Sequence, residues 1–236
     1  MTSDTAQVLE PIRELRAAGY SPKQIARALH LRPAVVAPLV RKLAAEEAAA
    51  APEFAVVGCW VSPGWSRDLA IAGQHEWPDL PVAEDGPAGI ACVAVARRHR
   101  AQRVSVCGYL VDTYCLGVKN ALGPKVMNER DLPGFLWGYF AVFDEVGGSL
   151  AVPLDLARHL VWGAVDYARS LGLEPAPDFA AAADHLGQWS ETSAITFGRN
   201  GTPFYLPGPH DNPRAVLRTL NRARGEGNFH HLVPVG

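Results

Sequence analysis

The segment YLVDTYCLGVKN, residues 109–120, places reactive side chains directly after an apolar run. Asp112 offers a carboxylate, Cys115 a thiol and Lys119 an amine, all within one short stretch of chain. The end of a predicted strand is a usual place for functional groups on a sheet scaffold. These side chains therefore form either a reactive site or a turn that ends the strand.

Two later segments could complete a reactive site. The loop GPHDN, residues 208–212, brings His210 and Asp211, and the segment GEGNFHH brings His230. A thiol nucleophile needs a nearby cation to lower its pKa and a histidine to act as base. One hypothesis is therefore a hydrolase or nuclease, with these candidate catalytic residues: Asp112, Cys115, Lys119, His210 and Asp211.

A metal site is the next alternative, but the sequence does not favour it. A hard cation would need Asp112, Asp211 and the two histidines as ligands, and their spacing matches no metal motif. The cysteines form no C-x-x-C pair and no disulfide framework: Cys59, Cys92, Cys107 and Cys115. No metal and no other cofactor is predicted.

Two interpretations without catalysis remain open for the same segment. Lys119, the amide of Gly117 and the start of a helix predicted at Pro213 could hold an anion. Alternatively, Gly117 takes a backbone angle that favours glycine, Asp112 caps the turn and Lys119 is solvated.

The elements that must position these groups read as strands, helices, strands, a helix and a strand, which predicts an α+β fold with a mainly antiparallel sheet. Asn200-Gly201 is typical of a primed hairpin turn, and Asp211-Asn212-Pro213 of a helix start. The predicted elements are a strand at 53–61, a long loop at 62–89, a hairpin at 89–112, helices at 152–172 and at about 178–186, a hairpin at 193–208, a helix from 213 to 225 and a strand at 228–235. Residues 121–143 fit helix and strand equally.

Residues 1–50 have a different pattern, with three predicted helices. Ser21 and Gln24 form a capping box for the second helix, and Pro33 starts the third. Two short helices followed by a longer one resemble a helix-turn-helix, over about residues 9–47. Where the family usually has a small turn residue, this chain has His30.

The resemblance implies a DNA-binding module, with Arg32, Arg41 and Lys42 as phosphate contacts. The positions that would read bases offer no bidentate hydrogen bonds: Pro33, Ala34, Ala37 and Pro38. Seven basic against six acidic residues in 1–53 give the module little net charge. A module that docks on protein therefore stays open beside one that binds DNA.

The composition excludes several classes of protein. Hydrophobic residues make up 48% of the 236, which is enough for a packed core, and the net charge of −2 gives no general attraction to nucleic acid or anionic membrane. The N-terminus lacks a signal-peptide pattern, and no apolar run reaches the ~20 residues of a membrane span. A cytoplasmic protein is expected. The many Ala, Arg, Pro and Gly residues suit a GC-rich bacterium.

Three segments together resemble a group of bacterial proteins of no assigned function that carry a phrase like LVD-x-x-CLGVK. The segments are YLVDTYCLGVKNA at 109–121, FGRNGTPFYLPGPHDNP at 197–213 and GEGNFHHLV at 225–233. The resemblance implies that they belong to one domain, and it implies no activity.

The sequence thus predicts an N-terminal three-helix, helix-turn-helix-like module at 1–50 and an α+β domain at 53–236 with helices beside a mainly antiparallel sheet. The leading functional hypothesis is a regulatory or nucleic-acid-associated protein. Its module would bind DNA or another protein, and its α+β domain would bind a ligand or partner. The alternatives are the hydrolase or nuclease above and an interaction module without catalysis, and the oligomeric state is left open.

Overall fold

A computed structural model describes residues 3–50, 54–73, 76–82, 88–100, 102–141 and 148–232. The chain divides into two compact units: residues 1–53 belong to the first, and most residues from Phe54 onward belong to the second. No helix in these described ranges is long and apolar enough to cross a membrane.

The first unit contains three helices: α1 Ser3–Ala17, α2 Pro22–Ala28 and α3 Pro33–Ala50. The predicted capping box is present, since the Ser21 hydroxyl accepts from the Gln24 amide and the Gln24 side chain accepts from the Ser21 amide. This exchange satisfies two backbone donors that a helix start leaves open. Five apolar side chains form the centre of the small core: Ile12, Ile25, Ala26, Val36 and Leu43.

The connection from α2 to α3 depends on one residue with an unusual backbone. His30 has a φ of +54°, in the left-handed region that non-glycine residues seldom adopt. This conformation lets the chain leave α2 and enter α3 within four residues, 29–32. Farther on, α3 continues through Pro38, which has no amide hydrogen to give the preceding turn.

The second unit is built on a five-stranded antiparallel sheet with the order β5-β4-β3-β1-β6. Two pairs of short strands lie outside it, β2 antiparallel to β7 and β8 parallel to β9. The strands are β1 Val56–Val61, β2 Ala70–Ile71, β3 Ile90–Arg100, β4 Arg103–Asp112, β5 Gly117–Asn128, β6 Leu150–Val152, β7 Ile195–Thr196, β8 Phe204–Tyr205 and β9 His230–His231.

Side chains alternate between the two faces of the sheet along each strand, and helices pack on both faces. On β3, Val93 packs toward the cluster that includes helix α5, Leu154–Ser170, and Ala94 packs toward the cluster that includes helix α4, Leu132–Tyr139. The central strand therefore reads as a continuous apolar run rather than an alternating one. The helices of this unit are α4 Leu132–Tyr139, α5 Leu154–Ser170, α6 Phe179–Ala182 and α7 Pro213–Arg224.

The predicted fold class is confirmed: three N-terminal helices precede a mainly antiparallel α+β domain. The predicted helix at 152–172 is also confirmed as α5, with its apolar stripe buried. The ambiguous segment 121–143 contains both structures, since β5 runs to Asn128 and α4 follows it.

The hairpin predicted at 193–208 is wrong except for its turn. Asn200 and Gly201 do take positive φ values of 51° and 81°, and Arg199 bridges to Thr202. However, β7 pairs with β2 and β8 pairs with β9, so the flanking strands do not pair with each other. A local turn signal fixes the turn, whereas strand partners are chosen by tertiary contacts.

Gly117 provides a test of how tightly the β4–β5 turn is held. Its φ is +68°, and an added Cβ would lie 2.8 Å from the Ala164 carbonyl oxygen and 2.9 Å from the Ala168 Cβ. We expect Gly117→Ala to lower the free energy of unfolding by about 3 kcal/mol, from left-handed strain and overpacking together. Urea titration followed by tryptophan fluorescence measures it.

The matched control is Gly201→Ala. Gly201 has a similar φ of +81°, but an added Cβ would meet only the Thr196 Cγ2 at 4.0 Å. This control should lose about 1 kcal/mol, the cost of the backbone conformation alone. Equal losses for the two variants would show that the close approach to α5 contributes nothing.

Candidate functional site

The turn between β4 and β5 is buried, which is unusual for a polar loop. Asp112, Thr113, Tyr114 and Cys115 are 3%, 1%, 2% and 0% exposed. Buried backbone groups must find partners, and here they do: the Thr113 amide donates to the Gly89 carbonyl at 2.9 Å, and the Thr113 and Tyr114 carbonyls accept from Gly198 and Phe204 at 3.0 and 3.2 Å. Two distant segments, one at Gly89 and the other at 198–204, thus close around this turn.

Asp112 organises the turn from inside. Its Oδ1 accepts hydrogen bonds from the amides of Tyr114 at 2.9 Å and Cys115 at 2.8 Å. Burial raises the pKa of Asp112 from its ordinary 3.8 to about 6, although the amides and the charge of Lys119 oppose that rise. The predicted role as a turn cap is therefore what the geometry shows for this carboxylate.

Lys119 connects the β4–β5 turn to the 208–212 loop. Its Nζ lies 3.0 Å from Asp211 Oδ2, and the two side chains are only 17% and 12% exposed. The same oxygen accepts from the Gly208 amide at 2.7 Å and from the Tyr205 hydroxyl at 3.4 Å. The two loops singled out from the sequence do meet, and Lys119 is paired rather than solvated.

Cys115 lies in this cluster but is not arranged as a nucleophile. Its thiol is completely buried among Leu171, Tyr205 and Leu220. Burial, then the negative charge of Asp112, raise the pKa of Cys115, and Lys119 only partly opposes them. A thiol in this environment stays protonated at neutral pH and has no access to solvent, so it is an apolar packing group.

The predicted histidines stay outside the cluster. His210 and His230 are exposed, and no hydrogen bond in the described ranges joins either side chain to Asp112, Cys115 or Lys119. Within the same ranges no three His, Cys, Asp or Glu side chains are placed to hold a metal ion. Asp112, Cys115, Lys119 and Asp211 therefore come together without either of the predicted histidines.

The candidate nucleic-acid contacts lie in the first unit. Arg32 precedes α3, Arg41 and Lys42 lie within it, and all three are exposed. Among their neighbours in α3, Val35 is 43% exposed. The exposed surface of α3 thus combines cations with apolar side chains.

Two tryptophans, Trp65 and Trp77, lie in the segment predicted as a long loop at 62–89. Trp65 is buried, and its Nε1 donates to the Pro78 carbonyl at 3.0 Å. Asp79 accepts from the amides of Gly64 and Ser66 at 2.7 and 3.0 Å. These bonds pin the described part of the loop to itself.

A cleft of about 650 Å³ that the sequence analysis did not predict lies beside α5. Its chemistry comes from two stretches of chain, 162–169 and 183–190: Trp162, Asp166, Arg169, Asp184, Gln188 and Trp189. The sequence does place Trp162 and Asp166 together, because residues four apart share one face of a helix. That face lies opposite the buried apolar stripe of α5. Trp189 could be added only from the structure.

Comparison of the chain with protein-family models, with curated proteins and with solved structures gave no match. The resemblance to bacterial proteins with the LVD-x-x-CLGVK phrase therefore stays a prediction.

The ionisation of Asp112 gives a test by pH. Because its pKa is raised in the folded state, its contribution to stability is present below about pH 4 and is lost as pH rises through about 6. Relative to Asp112→Asn, which keeps an acceptor oxygen, the natural protein should lose about 3 kcal/mol over that interval. Urea titrations at several pH values measure the difference. All six tryptophans lie in the second unit, so their fluorescence reports on it. A difference that does not vary with pH would contradict the burial of an ionisable carboxylate.

The Lys119–Asp211 pair can be tested by a double-mutant cycle. We expect Lys119→Ala and Asp211→Ala to couple by about 1–3 kcal/mol in stability, since both groups are largely removed from water. The control cycle uses the Arg169–Glu174 pair, which has a similar separation of 3.1 Å but side chains 48% and 74% exposed. That pair should couple by no more than about 0.5 kcal/mol. Equal coupling in the two cycles would mean that burial gives Lys119 and Asp211 no special role.

Proposed function

We propose that the chain is a cytoplasmic bacterial regulatory protein. Its first unit is a helix-turn-helix-like module that associates with DNA, and its second unit binds a small ligand without catalysing a reaction. The observation that carries the proposal is the left-handed backbone of His30 between a capped α2 and the longer α3.

The geometry around His30 supports the helix-turn-helix interpretation. A sharp turn between the second and third helices is what allows α3 to project for contact with the major groove. Family members usually place a small residue in this turn, and His30 reaches the same left-handed conformation at some cost. Ile25, Ala26 and Val36, which hold the two helices together, are buried as a helix-turn-helix requires.

The surface of α3 favours contact with phosphates over reading of bases. Arg32, Arg41 and Lys42 are exposed, and guanidinium and ammonium groups pair with phosphate oxygens. Ala34 and Val35 present no hydrogen-bonding group to a base edge. The proposed binding to DNA is therefore dependent on salt and largely independent of sequence.

The second unit is proposed to bind rather than to catalyse. Cys115 is buried, and the Asp112 carboxylate caps the turn, so both side chains have structural roles. The cleft beside α5, in contrast, is open and combines indole rings with polar groups, as ligand sites do.

The apolar exposure on α3 favours a second candidate, an interaction module that docks on another protein. Ala34, Val35 and Pro38 are exposed on one helix, and apolar side chains of this kind are common at the centres of protein interfaces. The experiment below separates this candidate from DNA binding.

The test is the fluorescence anisotropy of a labelled duplex titrated with the full chain at 50–200 mM salt. With three phosphate contacts, log affinity should fall against log salt with a slope of about −3, and Arg41→Ala should reduce that slope by about 1. Unrelated duplexes should bind equally well.

The matched control is Arg130→Ala, which removes an exposed arginine outside the first unit. The Arg130 side chain is 84% exposed, and its Nε lies 3.7 Å from Asp131 Oδ1. This variant should bind DNA as the natural protein does. Absence of duplex binding at the lowest salt concentration would remove the DNA proposal and leave the interaction module.

A further inference from the structure

The cleft beside α5 has two aromatic walls, formed by Trp162 and Trp189. The Trp162 ring packs edge-on against Phe179, with ring centroids 5.1 Å apart and an interplanar angle of 78°. The Trp189 ring packs in the same manner against His159, at 5.0 Å and 86°. Indole rings packed in this way offer a ligand a π surface.

The charge that lines the cleft is negative. Asp166 accepts a hydrogen bond from Trp189 Nε1 at 3.1 Å, and this neutral donor leaves the carboxylate charge uncompensated. Asp184 is an exposed residue in the 183–190 stretch of the lining, and neither aspartate forms an ion pair within the described ranges. The cationic wall residue, Arg169, is paired with Glu174 at 3.1 Å. Two indole rings beside two unpaired carboxylates favour a cation.

One hydrogen-bond donor in the wall is also unsatisfied. Trp162 Nε1 is buried, and it has no hydrogen-bond partner among the residues that the structure describes. Buried donors are almost always paired, so an unpaired donor beside a cleft indicates an acceptor that a ligand would bring. Because the Nε1 atom is itself enclosed, a ligand that uses this donor must rotate the Trp162 ring slightly toward the cleft.

We propose that this cleft binds a small organic cation, a methylated or alkyl ammonium group that also carries a hydroxyl. The ammonium group lies against the indole rings and is neutralised by Asp166 and Asp184, and the hydroxyl oxygen accepts from Trp162 Nε1. The inference rests on the proposed ligand-binding function of the second unit and does not depend on DNA binding by the first.

The test is isothermal titration of the full chain with choline and with two analogues that separate its groups. The uncharged isostere 3,3-dimethylbutan-1-ol keeps the shape and the hydroxyl, and tetramethylammonium keeps the charge and loses the hydroxyl. We expect choline to bind with a dissociation constant of millimolar or below, the isostere to bind about tenfold more weakly, and tetramethylammonium to be intermediate.

Two variants locate the binding site. Asp166→Asn keeps an oxygen that accepts from Trp189 but loses the charge, so choline should bind about tenfold more weakly. Asp131→Asn removes an exposed carboxylate that is outside the cleft and should leave choline binding unchanged. Near-ultraviolet circular dichroism confirms that both variants keep the packing of their aromatic rings.

Three results would overturn the proposal: no binding of choline, equal binding of choline and the uncharged isostere, or an unchanged affinity in Asp166→Asn. Titration with glucose then separates this failure from failure of the proposed function. Binding of the neutral sugar that Asp166→Asn weakens would keep a ligand-binding second unit and exclude only the cation, whereas binding of neither probe would weigh against both.

Discussion

The constraint on which the second unit depends is the burial of a polar turn. A hairpin turn normally leaves its amides and carbonyls to water, but residues 113–115 are buried and their backbone groups need partners inside the protein. The Asp112 carboxylate supplies two acceptor bonds, and Gly89, Gly198 and Phe204 supply the backbone bonds around it. These partners come from two separate stretches of chain, Gly89 before β3 and residues 198–204 after β7, so one small set of hydrogen bonds ties both stretches to the turn.

The same burial decides what the cluster can do chemically. Lys119 and Asp211 neutralise each other where little water reaches them, and the Asp211 oxygen also fixes the Gly208 amide. Breaking a buried pair of this kind is costly, which makes it a strong structural tie. Cys115 shows the opposite consequence, since the environment that packs its thiol well also keeps it protonated. Proximity of reactive residue types is therefore insufficient for a site, which also needs access and a base.

Local signals predicted local structure well in this chain. Ser21 and Gln24 form the expected capping box, and Asn212 caps α7 ahead of Pro213. The failures concern long-range contacts. Arg97, in the hairpin predicted at 89–112, donates to the carbonyls of His185 and Phe54, and nothing in the hairpin pattern predicts contacts with residues so far away in sequence. The meeting of Lys119 and Asp211 could only be posed as a question from the sequence, and the pairing of Trp162 with Trp189 in one cleft left no sequence pattern that periodicity could detect.

Helix α5 explains how one domain can hold a rigid cluster and an open cleft together. Ala164 and Ala168 are on the face that approaches Gly117 so closely that no side chain fits between them. Trp162, Asp166 and Arg169 are on the other face and line the cleft, as the helical period requires for residues spaced by four and three. The buried turn thus packs against one face of α5, and the opposite face of α5 forms a wall of the cleft. A binding site supported by a rigid element needs less ordering when its ligand arrives, so the cluster can assist binding without touching the ligand.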